Sequence, residues 1–107
     1  MSEAAFHALA EPHRRRILRM LRDEPRSVNE IAGQFDISQQ AVSQHLKVLN
    51  NAGLVAVSRQ GQRRLYVVRP EGLGVLRDFL AEFWPARLER LKLAVEQDRS
   101  AEEDHDG

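Results

Sequence analysis

The chain has 107 residues, 42% of them hydrophobic, and its 16 Lys+Arg balance 16 Asp+Glu at a formal net charge of zero. One domain of ordinary globular composition is expected, and no apolar run approaches the roughly 18 residues that a bilayer span requires. The opening Met1 to Phe6 lacks the basic and apolar regions of a signal peptide, so a cytoplasmic chain with no membrane partner is expected, and the absence of cysteine excludes disulfides and thiolate metal ligands.

Glu3 to Ala10 reads as a short helix with Phe6 and Leu9 on one side, stopped by Glu11-Pro12, because the residue before a proline is pushed out of the α region. Pro12 suits the first position of a second helix, whose stripe of Ile17, Leu18 and Leu21 is surrounded by Arg14, Arg15, Arg16, Arg19 and Arg22 and ends at Asp23-Glu24-Pro25. Among Arg14 to Arg16 one residue reads as a phosphate anchor, and a solvated or salt-bridged helix face is at least as good a reading of the run. Ser27-Val28-Asn29-Glu30 matches a capping box and opens a short third helix with Val28, Ile31, Ala32 and Phe35 inward. Ser38 caps a fourth helix running to about Asn51, with Val42, Leu46 and Leu49 at apolar spacing.

Leu54 to Arg59 and Arg64 to Arg69 are β-prone runs joined by Gln60-Gly61-Gln62-Arg63, a hairpin signature. Pro70-Glu71-Gly72 breaks the sheet, and Leu73, Leu76, Leu80 and Phe83 continue at helical spacing to Trp84-Pro85, where Pro85 should kink or restart the helix. A last stripe of Trp84, Leu88, Leu91 and Val95 follows. The predicted organisation is one domain over residues 1–98 and an acidic, disordered tail over 99–107.

Two short helices across a tight turn, then a basic hairpin, predict a mostly α fold with a small β-hairpin: a winged helix-turn-helix of five or six helices and a two-stranded wing. The zero net charge hides a division. Residues 1–70 hold 11 Lys+Arg against 6 Asp+Glu, whereas residues 71–107 hold 5 against 10. No acid lies between Asp36 and Glu71, and such segregation suits a phosphate-facing surface. With Val42, Leu46 and Leu49 inward, Gln39, Gln40, Ser43, Gln44 and Lys47 are left outward, and these side chains have the donors and acceptors that read base edges. Arg59, Arg63 and Arg64 on the wing complete the expected contacts with double-stranded DNA, although edge-strand protection is a plainer role for such charges.

Ser38 to Leu49 followed by Ala52-Gly53-Leu54-Val55, with Leu9 to Leu18 and Arg59 to Tyr66, resembles the ArsR family of bacterial winged-helix repressors over nearly the whole chain. The resemblance implies that Gln39, Gln40, Ser43 and Gln44 touch bases or backbone and that Arg63 and Arg64 reach the flanking groove. Many family members sense metals, but the usual cysteine pair has no counterpart in Val28 to Gly33, and no histidine stands in the last helix where the paired acid and histidine ligands would lie. His7, His13, His45 and His105 show no ligand spacing, so no metal site and no cofactor are expected, and His45 reads as a packing or phosphate-contact residue.

A helix-turn-helix repressor pairs two heads about one turn of DNA apart, so a homodimer is expected. The first and last helices hold more apolar surface than one small core needs, which nominates Phe6, Leu9, Leu76, Leu80, Phe83, Trp84, Leu88 and Leu91 for dimerisation. The expected function is a dimeric, sequence-specific repressor on an inverted-repeat operator, nucleoid-associated when bound and not controlled by a metal. Alternatives are a metal- or ligand-responsive repressor of the same family and a winged-helix protein-interaction module, with an unknown effector or partner protein left open. An enzyme is not expected. Ser43 and His45, two residues apart on one helix, point in different directions, and no glycine-rich phosphate loop is present.

Overall fold

The computed structural model describes residues 2–84 and 95–96. The chain falls into two units, residues 1–76 and residues 77–107. In the first, α1 (Ser2–Leu9), α2 (Pro12–Asp23), α3 (Val28–Ala32) and α4 (Gln39–Asn51) precede β1 (Val55–Gln60) and β2 (Arg63–Val68). A 3-10 turn (Pro70–Leu73) leads into α5 (Gly74–Ala81), which crosses the unit boundary. The expected mostly helical winged helix-turn-helix with one antiparallel hairpin is the fold observed. Among the described residues no helix is long and apolar enough to cross a membrane.

Side-chain caps fix the helix starts. Glu11 accepts a bond from the Arg14 amide at 3.0 Å, Ser27 and Glu30 exchange both bonds of a capping box, and Ser38 accepts from the Ala41 amide. The end of α4 is a Schellman motif: Leu54 N donates to Leu49 O and Gly53 N to Asn50 O, while Gly53 takes φ 77°. That turn delivers the fully buried Leu54 and Val55 into the core beside Ile17, Ile31, Val42, Leu46 and Leu49. Burying each such side chain stabilises the fold by about 1.5–3 kcal/mol before entropy is counted.

The hairpin pairs Val55 with Val68 through to Gln60 with Arg63. Its connection is two residues, Gly61-Gln62, shorter than the four-residue connection expected, because Gly61 at φ 65° turns the chain tightly enough to keep Gln60 and Arg63 paired. A third backbone segment also joins the wing: Arg26 and Tyr66 exchange amide-to-carbonyl bonds of 3.2 and 2.7 Å. This one-residue bridge ties β2 to the loop before α3, and so holds the wing in register with the helix-turn-helix. It carries no sequence signal, since one residue beside Pro25 has no periodicity to read.

Gly72 sits where a Cβ would lie 2.0 Å from the Gly53 carbonyl oxygen. Backbone meets backbone there, so no flexible side chain can yield. Gly72→Ala is expected to lower stability by roughly 1–3 kcal/mol in denaturant unfolding, the cost typical of overpacking.

In the second unit α5 stops at Ala81, three residues before the expected end at Trp84. Glu82, Phe83 and Trp84 amides bond three residues back, to Phe79, Leu80 and Ala81, which tightens the last turn as Trp84 approaches Pro85. Pro85, Leu88, Leu91, His105 and the tail lie outside the described residues.

Candidate nucleic-acid interface

Helix α4 is divided cleanly. Val42, Leu46 and Leu49 have no solvent exposure, and Gln39, Gln40, Ser43, Gln44 and Lys47 are all exposed. The same periodicity that seats the apolar stripe therefore leaves an unbroken polar face without a carboxylate, as the sequence reading expects. Ser38, the cap, uses its hydroxyl on the Ala41 amide and fixes where this face begins.

On the wing, Arg59 and Arg64 are cross-strand partners and both exposed. Like charges placed directly opposite are destabilising unless something else neutralises them. Arg63 differs: its Nη2 donates to Glu30 Oε1 at 2.9 Å, and Arg69 Nε lies 4.0 Å from Glu71 Oε2. The acid-free stretch of sequence is thus partly neutralised in space, because α3 brings Glu30 up to the wing. Glu30 is held below the usual carboxylate range by the Ser27 backbone and side-chain bonds first, then by Arg63 and Arg26. Among the described residues no ion pair engages Lys47, Arg59 or Arg64.

Of the α2 arginines Arg14 alone turns inward, and Arg15, Arg16, Arg19 and Arg22 are exposed. Arg14 is buried, donating from Nε to Ala8 O at 2.6 Å and from Nη2 to His7 O at 3.3 Å. Arg15 donates to Leu9 O and Ala10 O, so the two guanidiniums gather on carbonyls at and just beyond the end of α1, where the His7 carbonyl also accepts from the Ala10 amide. Arg16 donates to Gln34 O and lies 4.5 Å over the Phe35 ring. Of the two roles left open for this arginine run, phosphate anchor and solvated face, Arg14 serves neither. The signal was present: Arg14 stands three and seven residues before Ile17 and Leu21, on their stripe.

His45 sits on the inner edge of α4 as a packing residue. Its ring stacks on His13 at 5.4 Å, Arg14 Nη1 lies 3.3 Å from its Nδ1, and Glu11 Oε2 lies 3.8 Å from the same atom. Burial pushes the His45 imidazole below its ordinary value, helped by the Arg14 and His13 charges and opposed by Glu11. Arg14 can only donate, so Nδ1 of His45 is the acceptor in that contact. Glu11, pushed up by desolvation, is pulled further down by bonds from His13 and the Arg14 amide and by the charges of His45 and His13. Histidines 32 positions apart are thus brought together, which their spacing in the sequence conceals.

Of the residues nominated for dimerisation, Leu9 and Leu76 pack against the core and Phe6 is half-buried. Leu80, Phe83 and Trp84 are exposed at 49%, 60% and 43%. Phe79, not nominated, is 43% exposed and meets the Phe83 ring edge-on at 5.2 Å. Leu88 and Leu91 lie outside the described residues.

A family model described as a helix-turn-helix domain matches residues 9–58. The chain is 44% identical over 86 residues to the HTH-type transcriptional regulator Rv2034 of Mycobacterium tuberculosis, covering 80% of each. It is also 44% identical over 61 residues to the HTH-type transcriptional repressor SmtB of Mycobacterium tuberculosis, covering 57% of this chain and 45% of that protein. The crystal structure of an ArsR family transcriptional regulator, RHA00566, superposes with a TM-score of 0.69 at 31% identity, over 75% of this chain and 82% of that one. With its divided α4, its wing and these likenesses, the chain belongs to the ArsR family of winged helix-turn-helix transcriptional regulators, which are DNA-binding proteins and not enzymes.

Proposed function

We propose that this regulator is a dimeric repressor that binds an inverted-repeat operator, acting in the cytoplasm on the nucleoid. The observation that carries the reading is the divided α4: an apolar face wholly buried, and an exposed face of Gln39, Gln40, Ser43, Gln44 and Lys47 with no acid. Gln matches adenine bidentately, Ser donates or accepts, and Lys reaches guanine or phosphate. The exposed, unneutralised pair Arg59 and Arg64 suits the flanking backbone, and Arg63 joins it by exchanging Glu30 for a phosphate.

The relative SmtB is named a repressor, and a dimer seated on an operator blocks other proteins from the same DNA. Occupying the operator is then sufficient to act. Dimerisation falls to Leu80, Phe83 and Trp84, exposed apolar side chains that a monomer would leave in water, together with Phe6, Leu9, Leu76, Leu88 and Leu91. DNA binding requires no metal, and control does not run through the family's usual cysteine or acid–histidine ligands, which this sequence lacks.

Selection from random duplex DNA is expected to enrich an inverted repeat with half-site centres about one helical turn, ~10 bp, apart. Absence of any enriched sequence would sink the reading. On the selected operator, Gln40→Ala or Ser43→Ala should cost roughly 1–3 kcal/mol of binding and little on random DNA, whereas Arg64→Ala should weaken both alike. Equal losses of the helix variants on the two DNAs would rule out direct readout.

A further inference from the structure

We propose that Glu11, His13 and His45 form a binding site for a divalent first-row transition metal that ties the start of α2 to the middle of α4. One ligand atom from each of the three lies within 4.8 Å of the other two. Within that group Glu11 Oε1 is 2.8 Å from His13 Nδ1, and Glu11 Oε2 is 3.8 Å from His45 Nδ1. An ion with bonds of about 2.0–2.1 Å in tetrahedral array holds its ligand atoms about 3.3 Å apart, so these separations bracket the requirement and side-chain rotations close the difference.

The donor chemistry is selective. Two imidazoles and one carboxylate suit zinc, cobalt or nickel, and suit magnesium or calcium poorly. Three protein donors leave a coordination position for water, and His13, with 41% of its side chain exposed, gives an entry path. Glu11 caps α2 by accepting from the Arg14 amide, and His45 lies one residue before the fully buried Leu46.

Arg14 opposes the ion. Its Nη1 bond to His45 must yield, while its Nε and Nη2 bonds to the Ala8 and His7 carbonyls hold the guanidinium in place. The His13–Glu11 hydrogen bond is likewise replaced, His13 Nδ1 turning from Glu11 to the ion. The ion therefore exchanges two hydrogen bonds for three coordinate bonds beside a fixed positive charge. Because His45 neighbours Gln44, the coupling of metal to DNA rests on the reading of α4 proposed above; the binding itself does not.

The test uses the untagged full chain stripped with chelator, with operator affinity measured first in that metal-free state. Cobalt(II) is then titrated, read by its visible ligand-field absorption and by displacement with zinc(II). About one ion per chain is expected, with affinity falling at least ~10-fold in His13→Ala and in Glu11→Gln, whose amide oxygen still caps α2. His7→Ala and His105→Ala should bind as the unaltered chain does. No cobalt band, full binding by His13→Ala with unchanged thermal melting, or loss on removing His7 or His105 would each overturn the site. Saturating zinc should shift operator affinity in the unaltered chain and not in His13→Ala; binding with no such shift would overturn the coupling. A metal-free chain that ignores DNA would refute the operator reading instead, and would leave the cobalt titration standing.

Discussion

Raising monovalent salt from 50 to 200 mM should lower operator affinity about 10³-fold, because each neutralised phosphate releases a condensed counterion. The structure sets the number. Lys47, Arg59 and Arg64 are exposed and unengaged among the described residues, which makes three cations in each protomer and six in a dimer. Six phosphate contacts imply a slope of about −5 in log affinity against log salt. If Arg63 leaves Glu30 for phosphate, two further contacts steepen that slope and carry the loss toward ~10⁴-fold. A titration of fluorescent operator at four or five salt concentrations separates these cases, and Arg63→Ala should reduce only the steeper slope. A flat response would remove the wing from the interface altogether.

Arg14→Ala should destabilise the fold by about 2–4 kcal/mol, a large effect for a residue that sequence reading places on the surface. The loss has three parts. The Ala8 and His7 carbonyls lose charge-assisted donors at the end of α1, the imidazole of His45 loses the donor on Nδ1, and a cavity opens beside Ile17. Arg14→Lys should recover little, since one ammonium cannot span two carbonyls and a ring nitrogen in the guanidinium's fork geometry. Urea unfolding monitored by circular dichroism reads both variants. Arg15→Ala, whose guanidinium bonds two carbonyls in an exposed setting, provides the contrast and should cost under about 1 kcal/mol. Equal losses at the two positions would show that burial of Arg14 adds nothing.

The helices of the first unit, the capping box, Ser38 and the inward stripe of α4 were legible because each rests on local chemistry. A cap needs a side chain three residues from an amide, and an amphipathic stripe needs only its period. The reading face followed by elimination, since three buried positions in α4 leave few residues to face outward. Phe79 was missed because it lies off the stripe of Leu73, Leu76, Leu80 and Phe83 from which the dimerisation residues were drawn, yet it is exposed beside Leu80 and Phe83.

The sequence by itself determined the order of elements, the polarity of α4 and the family, because periodicity, caps and turn residues act within a few positions of one another. Tertiary structure alone decided which charges meet. Glu30 reaches Arg63 across 33 positions, Arg14 reaches His45 across 31, and Arg26 pairs its backbone with Tyr66. Each pairing joins elements whose approach is set by packing of the shared core, and Coulomb and hydrogen-bond forces of this kind depend on a separation of a few ångströms that no spacing along the chain encodes.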